Sequence, residues 1–421
     1  MNIGVGERVS ASLGQTRRVA ISVTVDDVRA AREVLRGVAR ETPLRPARWL
    51  AEKVGGPVDL KCENLQRAGS FKIRGAYTRI SRLSDEERAR GVVAASAGNH
   101  AQGVALAAKI LGIKSTVFMP VGAPLPKVSA TRGYGAEIIF TGSTIDECLV
   151  AARAFEAETG AVLIHPFDHP DIVAGQGTCG LEILEQRPDV KTVVVCTGGG
   201  GLLAGMAVAI KALRPDVRVV GVQAAGAAAY PRSLAQGHPI QLESMTTMAD
   251  GIAVGRPGDV PFAVVQDLVD EIVTVDDEAI ARALVLCAER SKLVAEPAGA
   301  AAMAAILDHP EAFEAPVVAV VSGGNIDPLL LLRVIRHGLT AGGRYTTLRI
   351  TMPDRPGSLA GLLQVLADCD ANVVEVGHVR TNPQLGLHDV EIEVEVETRG
   401  PNHRDTLLRT LAEGNYHVEV G

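Results

Sequence analysis

The chain has 421 residues, 47% of them hydrophobic and 22% charged, with a formal net charge of -7. That balance excludes wholesale disorder and argues against a general nucleic-acid binder, and at about 150 residues per domain the length allows two or three domains. Aromatic residues make up only 3%, so the cores must be built from Ala, Val, Leu and Ile, and no apolar run reaches the ~18 residues that a membrane span needs.

Residues 1–20 mix Gly, Ser and Arg without periodicity and read as a loose tail, without the charged-then-apolar pattern of a secretory signal. Six cysteines (Cys62, Cys148, Cys179, Cys196, Cys287 and Cys369) form no C-x-x-C pair. They read as small, mostly buried thiols in a reducing cytoplasm, not as a disulfide framework or a zinc site. From Val23 onward two kinds of segment alternate. Short, β-branched runs are Val92 to Ala94, Ser115 to Met119, Ala136 to Phe140, Thr192 to Cys196, Val217 to Val222 and Val317 to Val321. Longer, Ala-rich amphipathic runs are Asn99 to Leu111, Thr144 to Glu158, Gly201 to Leu213 and Glu278 to Lys292. Such alternation predicts right-handed crossovers and a parallel α/β sheet covered by helices, with strands buried on both faces.

The pattern changes at Thr340-Ala341-Gly342-Gly343. Beyond it the segments read strand, helix, strand, strand, helix, strand: Tyr345 to Thr351, Ser358 to Ala367, Asn372 to Val379, His388 to Glu397, Arg404 to Glu413 and Tyr416 to Val420. The run Val390 to Glu397 alternates apolar and acidic residues, so one sheet face is covered and the other is wet or paired. This order predicts a ferredoxin-like α+β module at the C-terminus.

Four motifs could carry chemistry. Lys72, in Gly69-Ser70-Phe71-Lys72-Ile73-Arg74-Gly75, sits between apolar neighbours near a helix start. Desolvation there would lower its pKa and suit it to Schiff-base chemistry; the plainer reading is a surface lysine on a helix. Ser96-Ala97-Gly98-Asn99-His100 follows a strand and opens a helix, where free amides bind an anion such as a substrate carboxylate, or where Asn and His merely cap the helix. Gly198-Gly199-Gly200-Gly201-Leu202 also joins strand to helix and suits phosphate. Gly199, Gly201 and Ala204 satisfy G-x-G-x-x-A, but the next strand ends at Gln223 where a dinucleotide site needs an acid, and Met206 replaces the Walker A lysine, so a smaller phosphate ligand is left. Ser322-Gly323-Gly324-Asn325 follows another strand and alone is a plain turn. His165, His169, His309 and Asp308 have no metal-ligand spacing and read as solvated loop positions, so no metal is expected.

Together and in this order, Ser70 to Ala76, Ser96 to Gly103, Thr197 to Leu202 and Ser322 to Asn325 resemble the threonine ammonia-lyase (threonine dehydratase) family of pyridoxal-phosphate enzymes, over residues from about Thr42 to Leu339. Asp354-Arg355-Pro356-Gly357-Ser358-Leu359 looks like the first turn of an ACT domain, a small amino-acid-sensing module. The resemblance implies a two-subdomain fold type II α/β enzyme with parallel sheets covered by helices. The catalytic domain would span 21–339, with a smaller subdomain at roughly 60–165; a linker at 340–344 and a ferredoxin-like α+β ACT domain at 345–421 would follow.

The roles it implies are specific. Lys72 would hold pyridoxal 5'-phosphate covalently and, once freed, take the Cα proton. Phe71 would pack on the cofactor ring, Asn99 would bond its ring oxygen, Gly198, Gly199, Gly200, Gly201 and Leu202 would cradle its phosphate, and Ser322 would contact the pyridine nitrogen. Ser96, Gly98, Asn99 and His100 would hold the substrate carboxylate, with Asp250-Gly251 near the substrate side chain and Glu296 near the cofactor. A serine at the ring nitrogen stabilises a pyridinium less than an aspartate would, which favours loss of the β-hydroxyl over a long-lived carbanion. L-threonine would then give 2-oxobutanoate and ammonia, with L-serine to pyruvate as a side activity. The ACT-like module implies an amino-acid effector, isoleucine or valine, at Asp354, Arg355, Gly357, Ser358 and Leu359, and a homodimer or homotetramer.

Two positions depart from related serine racemases: Ala97 stands where they carry a second, proton-bearing serine, and Gln223 where they use a glutamate toward a divalent ion. The alternatives are a serine-preferring deaminase or another β-hydroxy amino acid dehydratase, a non-catalytic amino-acid sensor, against which Lys72 stands, and a nicotinamide dehydrogenase, which fails at Gln223.

Overall fold

The structure is a computed structural model that describes residues 21–380 and 385–421; the tail expected over residues 1–20 lies outside the described residues. The chain forms two compact units, one running to Leu331 and the other from Leu332 to Gly421.

The first unit holds two sheets. A six-stranded sheet has the order Leu44–Pro46, Val58–Lys61, Val317–Val320, Thr192–Cys196, Arg218–Ala224, Glu271–Val275. Its first pair is antiparallel and the rest are parallel. A four-stranded, fully parallel sheet has the order Glu137–Phe140, Ser115–Met119, Val92–Ala95, Val162–Leu163. The strand Val58–Lys61, at the expected edge of the smaller subdomain, belongs to the six-stranded sheet, and the smaller sheet is built from strands between Val92 and Leu163. The central strands Thr192–Cys196 and Val317–Val320 are buried at every position, as helices on both faces require.

Small residues set the helix packing, which is how a core with so few rings closes. The helices Pro170–Gln186 and Gly201–Leu213 meet at glycines: a Cβ on Gly205 would stand 2.1 Å from the Val173 carbonyl oxygen. Local signals fix the helix starts. Thr144 accepts from the Glu147 amide at 3.2 Å in a reciprocal capping box that opens the helix Ile145–Thr159. The helix expected from Glu278 to Lys292 is two elements: an α-helix Asp277–Leu286 and a π turn Cys287–Ser291, closed by Lys292 in the left-handed region at φ 57°. No proline or glycine marks that change of register, so periodicity alone extends the helix through it.

The second unit carries an antiparallel sheet, ordered Asn372–Val379, Asp389–Glu397, Tyr345–Pro353, His417–Val420. The helices Ser358–Asp368 and Pro401–Glu413 complete the order strand, helix, strand, strand, helix, strand. Its core includes Leu348, Ile350, Leu362, Leu366, Ile392, Val394, Leu407 and Leu411. Along Asp389–Glu397 the apolar residues are buried and the acidic ones before Glu397 half-buried, as alternation predicts. The helix Pro328–Ala341 runs into the joint read at 340–344: it continues through the single buried glycine Gly338 and stops at the pair Gly342-Gly343.

One buried ion cluster ties these parts of the first unit together. Arg74, fully buried on the helix Lys72–Ser81, meets Glu63 at 2.8 Å and Glu182 at 2.6 Å; Lys61 meets Glu182 at 2.6 Å and the Thr42 carbonyl at 2.7 Å. Two cations face two carboxylates, so the cluster is neutral. Removing one carboxylate leaves a cation uncompensated in low dielectric. We expect Glu182→Ala to cost about 3–5 kcal/mol in denaturant unfolding; an unchanged midpoint would mean that water reaches Lys61 and Arg74.

Candidate active site

Three loops leave the carboxyl ends of parallel strands and converge, the place where open α/β sheets form their sites. Ser96 to Asn99 follows Val92–Ala95, Thr197 to Gly200 follows Thr192–Cys196, and Ser322 to Asn325 follows Val317–Val320. A fourth segment, Ser70 to Lys72, is stitched to the third. Phe71 N donates to Ser322 O at 3.1 Å, Gly324 N donates to Gly69 O at 2.9 Å, and Ser70 bridges Gly323.

Lys72 opens the helix Lys72–Ser81. Its Nζ donates to the Pro166 carbonyl at 3.0 Å and lies 5.1 Å from the centre of the Phe71 ring. The side chain keeps some accessible surface, but the amine is deep in the cleft. Burial pulls its pKa down to about 8, with Cys196 and Glu296 opposing the shift. The neutral fraction of the amine near pH 7 is therefore far larger than that of an ordinary surface lysine. The expected desolvation is present.

The glycine loop is a backbone cradle. Gly200 adopts φ +97°, and a Cβ there would fall 1.8 Å from the Tyr230 hydroxyl oxygen. A Cβ on Gly199 would meet the Phe167 ring at 2.4 Å. The loop ends at the start of the helix Gly201–Leu213, whose first amides have no carbonyl ahead of them to accept. Tyr230 donates to Gly199 O at 3.3 Å, and its own amide donates to Gln223 Oε1 at 2.8 Å. Gln223 thus braces this loop from behind.

The substrate-loop residues divide by role. Ser96 Oγ accepts from Gly98 N at 3.1 Å, and Gly98, which caps the helix Asn99–Leu111, faces open space. The side chain of Asn99 is engaged at both ends: Nδ2 donates to Glu296 Oε1 at 2.5 Å and Oδ1 accepts from Asn325 Nδ2 at 2.9 Å. His100 is buried and its Nε2 meets the Ile164 carbonyl at 2.7 Å. A carbonyl only accepts, so Nε2 carries the proton; burial, with Lys72 adding to it, holds the ring at about 3 and hence neutral. The ring of His100 therefore braces the Ile164–Pro166 segment that contacts Lys72.

Ser322 is buried, with its Oγ 3.1 Å from Cys196 Sγ. Gly251 lies against Ala298 and 3.7 Å, from a notional Cβ, short of Glu296 Oε1. Its neighbour Asp250 pairs with Lys127 at 2.5 Å. Asp354 to Leu359 lie in the second unit, at the turn between Tyr345–Pro353 and Ser358–Asp368, with Asp354 paired to Arg380 at 2.9 Å and Gly357 at φ 92°.

Several residues of the cleft escaped the sequence reading. His165, read as solvated, is half-buried and held to about 4 by burial, its Nδ1 accepting from Asp168 N at 2.8 Å. Phe167 stands edge-on to it at 4.7 Å and closes on the glycine loop. Tyr230 and Lys127 come from distant helices, and no local pattern announces them. Cys196 directly precedes the Thr197 to Leu202 motif, and that adjacency is its one visible signal.

An amine with a lowered pKa, an anion cradle, a fixed amide and a buried hydroxyl form the donor set that a phosphorylated pyridine aldehyde needs, so the residues present fit pyridoxal phosphate. The comparisons agree. The pyridoxal-phosphate dependent enzyme family matches residues 35–323. The L-threonine ammonia-lyase of Thermotoga maritima is 46% identical over 398 residues, covering 94% of this chain and 99% of that protein. Among solved structures, a threonine deaminase from T.th. aligns with TM-score 0.69 and 41% identity, over 72% of this chain and 99% of that one. Maize serine racemase aligns with TM-score 0.71 and 38% identity, over 76% and 98%. The chain belongs to the pyridoxal-phosphate dependent enzyme family, on its threonine ammonia-lyase branch. It has the fold type II α/β architecture, and pyridoxal phosphate is its cofactor.

Glu296 yields a test of the site's electrostatics. Burial first, then Asp250, raise its carboxyl to about 7, against Lys127, the Asn99 hydrogen bond and Lys72. The folded state therefore keeps a proton that the unfolded chain releases above about 4.5. Stability from this group is present at low pH and is lost as pH rises toward 7. We expect the Tm of the cofactor-free wild type to fall between pH 5 and pH 7.5 relative to Glu296→Gln; parallel profiles would show that Glu296 is already ionised at pH 5.

Proposed function

We propose that the protein is a threonine ammonia-lyase, converting L-threonine to 2-oxobutanoate and ammonia, with L-serine to pyruvate as a side reaction. The observation that carries this reading is the identity to the Thermotoga L-threonine ammonia-lyase over nearly the whole of both chains, the C-terminal unit included.

Bound pyridoxal phosphate supplies an electron sink that weakens the bonds at the substrate's Cα. This chain does the rest. Lys72 anchors the cofactor; when freed, its amine, near 8, takes the Cα proton. Gly198 to Leu202 hold the phosphate with loop amides and the start of the helix Gly201–Leu213. Phe71 would pack on the cofactor ring and Asn99 would bond its ring oxygen, the Asn99 amide being already oriented by Glu296 and Asn325. The helix-start amides of Asn99 and His100, with Gly98 and the Ser96 hydroxyl, would hold the substrate carboxylate, and Gly251 would leave room for the side chain. Ser322, a neutral hydroxyl, would contact the pyridine nitrogen, which favours expulsion of the β-hydroxyl over a long-lived carbanion. Ala97 offers no proton on the opposite face, and that is what argues against racemisation.

The C-terminal unit reads as an ACT domain. We assign to the turn Asp354 to Leu359 an amino-acid effector, isoleucine or valine, whose carboxylate would meet the amides that open the helix Ser358–Asp368. Pairing of such modules would make a homodimer or homotetramer, and a cytoplasmic metabolic enzyme fits the rest.

The test is 2-oxo acid release from L-threonine. Wild type is expected to make 2-oxobutanoate faster than it makes pyruvate from serine, and Lys72→Ala to lose at least roughly 10²–10⁴-fold. Isoleucine should shift the threonine response of wild type several-fold, and Gly357→Val, strained at φ 92°, should lose that shift while keeping turnover. No oxo acid from a cofactor-loaded wild type would overturn the substrate assignment; an isoleucine response unchanged in Gly357→Val would overturn the effector site.

A further inference from the structure

Ser322 has one proton to give and two lone pairs to fill, and in a buried site the direction of that proton is decided by its neighbours. The neighbour that matters is Cys196. The strands Thr192–Cys196 and Val317–Val320 run side by side in parallel, with Ala319 opposite Val194. The residues just beyond that pair therefore emerge together at the same sheet end, and Cys196 Sγ stands 3.1 Å from Ser322 Oγ. Both are buried, at 4% and 2% exposure, so no bulk water competes for either group. Burial pushes the thiol up to about 11, so it keeps its hydrogen throughout the working range. A thiol with its hydrogen, beside a hydroxyl oxygen, donates to the harder acceptor.

We propose that Cys196 is a positioning residue for Ser322: its S–H occupies a lone pair of Ser322 Oγ and leaves the hydroxyl proton directed at the pyridine nitrogen. Donation into the oxygen also polarises the O–H, making it a better donor in its turn. The thiol thereby helps set how strongly the ring draws electrons without touching the ring's reacting side. This inference rests on the assignment of Ser322 to the pyridine nitrogen made above.

The test uses the cofactor-loaded full chain. Cys196→Ala and Cys196→Val remove the donor, Cys196→Ser keeps one, and Ser322→Ala removes the group through which Cys196 is said to act. The readouts are the position and pH midpoint of the bound cofactor's visible absorption band, and kcat and KM for threonine. The Ala and Val variants should shift the band or its midpoint and lower kcat about three- to tenfold with KM little changed. Cys196→Ser should restore the wild-type band, and Ser322→Ala should move it further in the same direction. If Ser322→Ala alters the band while Cys196→Ala and Cys196→Val leave it as in wild type, the role of Cys196 is overturned and that of Ser322 stands. If Ser322→Ala changes neither band nor kcat, the Ser322 assignment itself falls. Should Cys196→Val fail to fold, Cys196→Ala against Cys196→Ser decides on the same spectrum.

Discussion

The site depends on a buried charge cluster that takes no part in the chemistry. Arg74 lies two residues beyond Lys72 on the same helix and is clamped by Glu63 from one segment and Glu182 from another, while Lys61 shares Glu182. Replacing such a cluster with apolar side chains of equal volume would often cost nothing, because desolvating ions consumes most of what their attraction returns. What the ions supply is uniqueness. A planar guanidinium held by two carboxylates has one arrangement, whereas an aliphatic contact at that depth tolerates sliding. The helix carrying Lys72 is thus fixed in rotation and register against the helix Pro170–Gln186, whose other face packs on the helix after the glycine loop. The amine and the glycine loop are positioned by helices packed on one another through Pro170–Gln186.

Within that frame, burial is used selectively. It draws the Lys72 amine down to about 8, lifts Glu296 to about 7, and keeps the rings of His100 and His165 neutral at about 3 and about 4. Two groups are poised near neutral pH and two histidines, ordinarily the switchable residues, are silenced by the same low dielectric. The histidines act as braces for the loop 164–168, through Ile164 O and the Asp168 amide. In the proposed reaction this leaves Lys72 with little competition for the Cα proton.

What the sequence made legible follows from how local each signal is. Strands such as Ser115–Met119 and Thr192–Cys196 and helices such as Asn99–Leu111 and Gly201–Leu213 stand where pattern and glycine placed them, because breakers bound them on both sides. The π turn at Cys287–Ser291 has no such boundary, and the helix Pro328–Ala341 runs on until Gly342. In the site, loops joined to strand ends carried their own composition. Tyr230, Lys127 and Phe167 did not: each reaches the cleft from a separate element, and only the fold brings Tyr230 to Gly199 or Lys127 to Asp250. His165 shows the opposite limit, since a histidine beside a proline in a loop looks solvated until Phe167 packs edge-on against it and its ring takes the Asp168 amide.

Architecture alone does not choose the reaction. Maize serine racemase shares this fold at TM-score 0.71 with 38% identity, about as close as the threonine deaminase at 0.69 and 41%. The two chemistries differ in what happens on the second face of the substrate. There this chain places Ala97, with no proton to move. In the proposed reaction a neutral Ser322 hydroxyl, backed by the Cys196 thiol, keeps the carbanion short-lived. Ala97 closes the racemising exit, so that loss of the β-hydroxyl is the one left open.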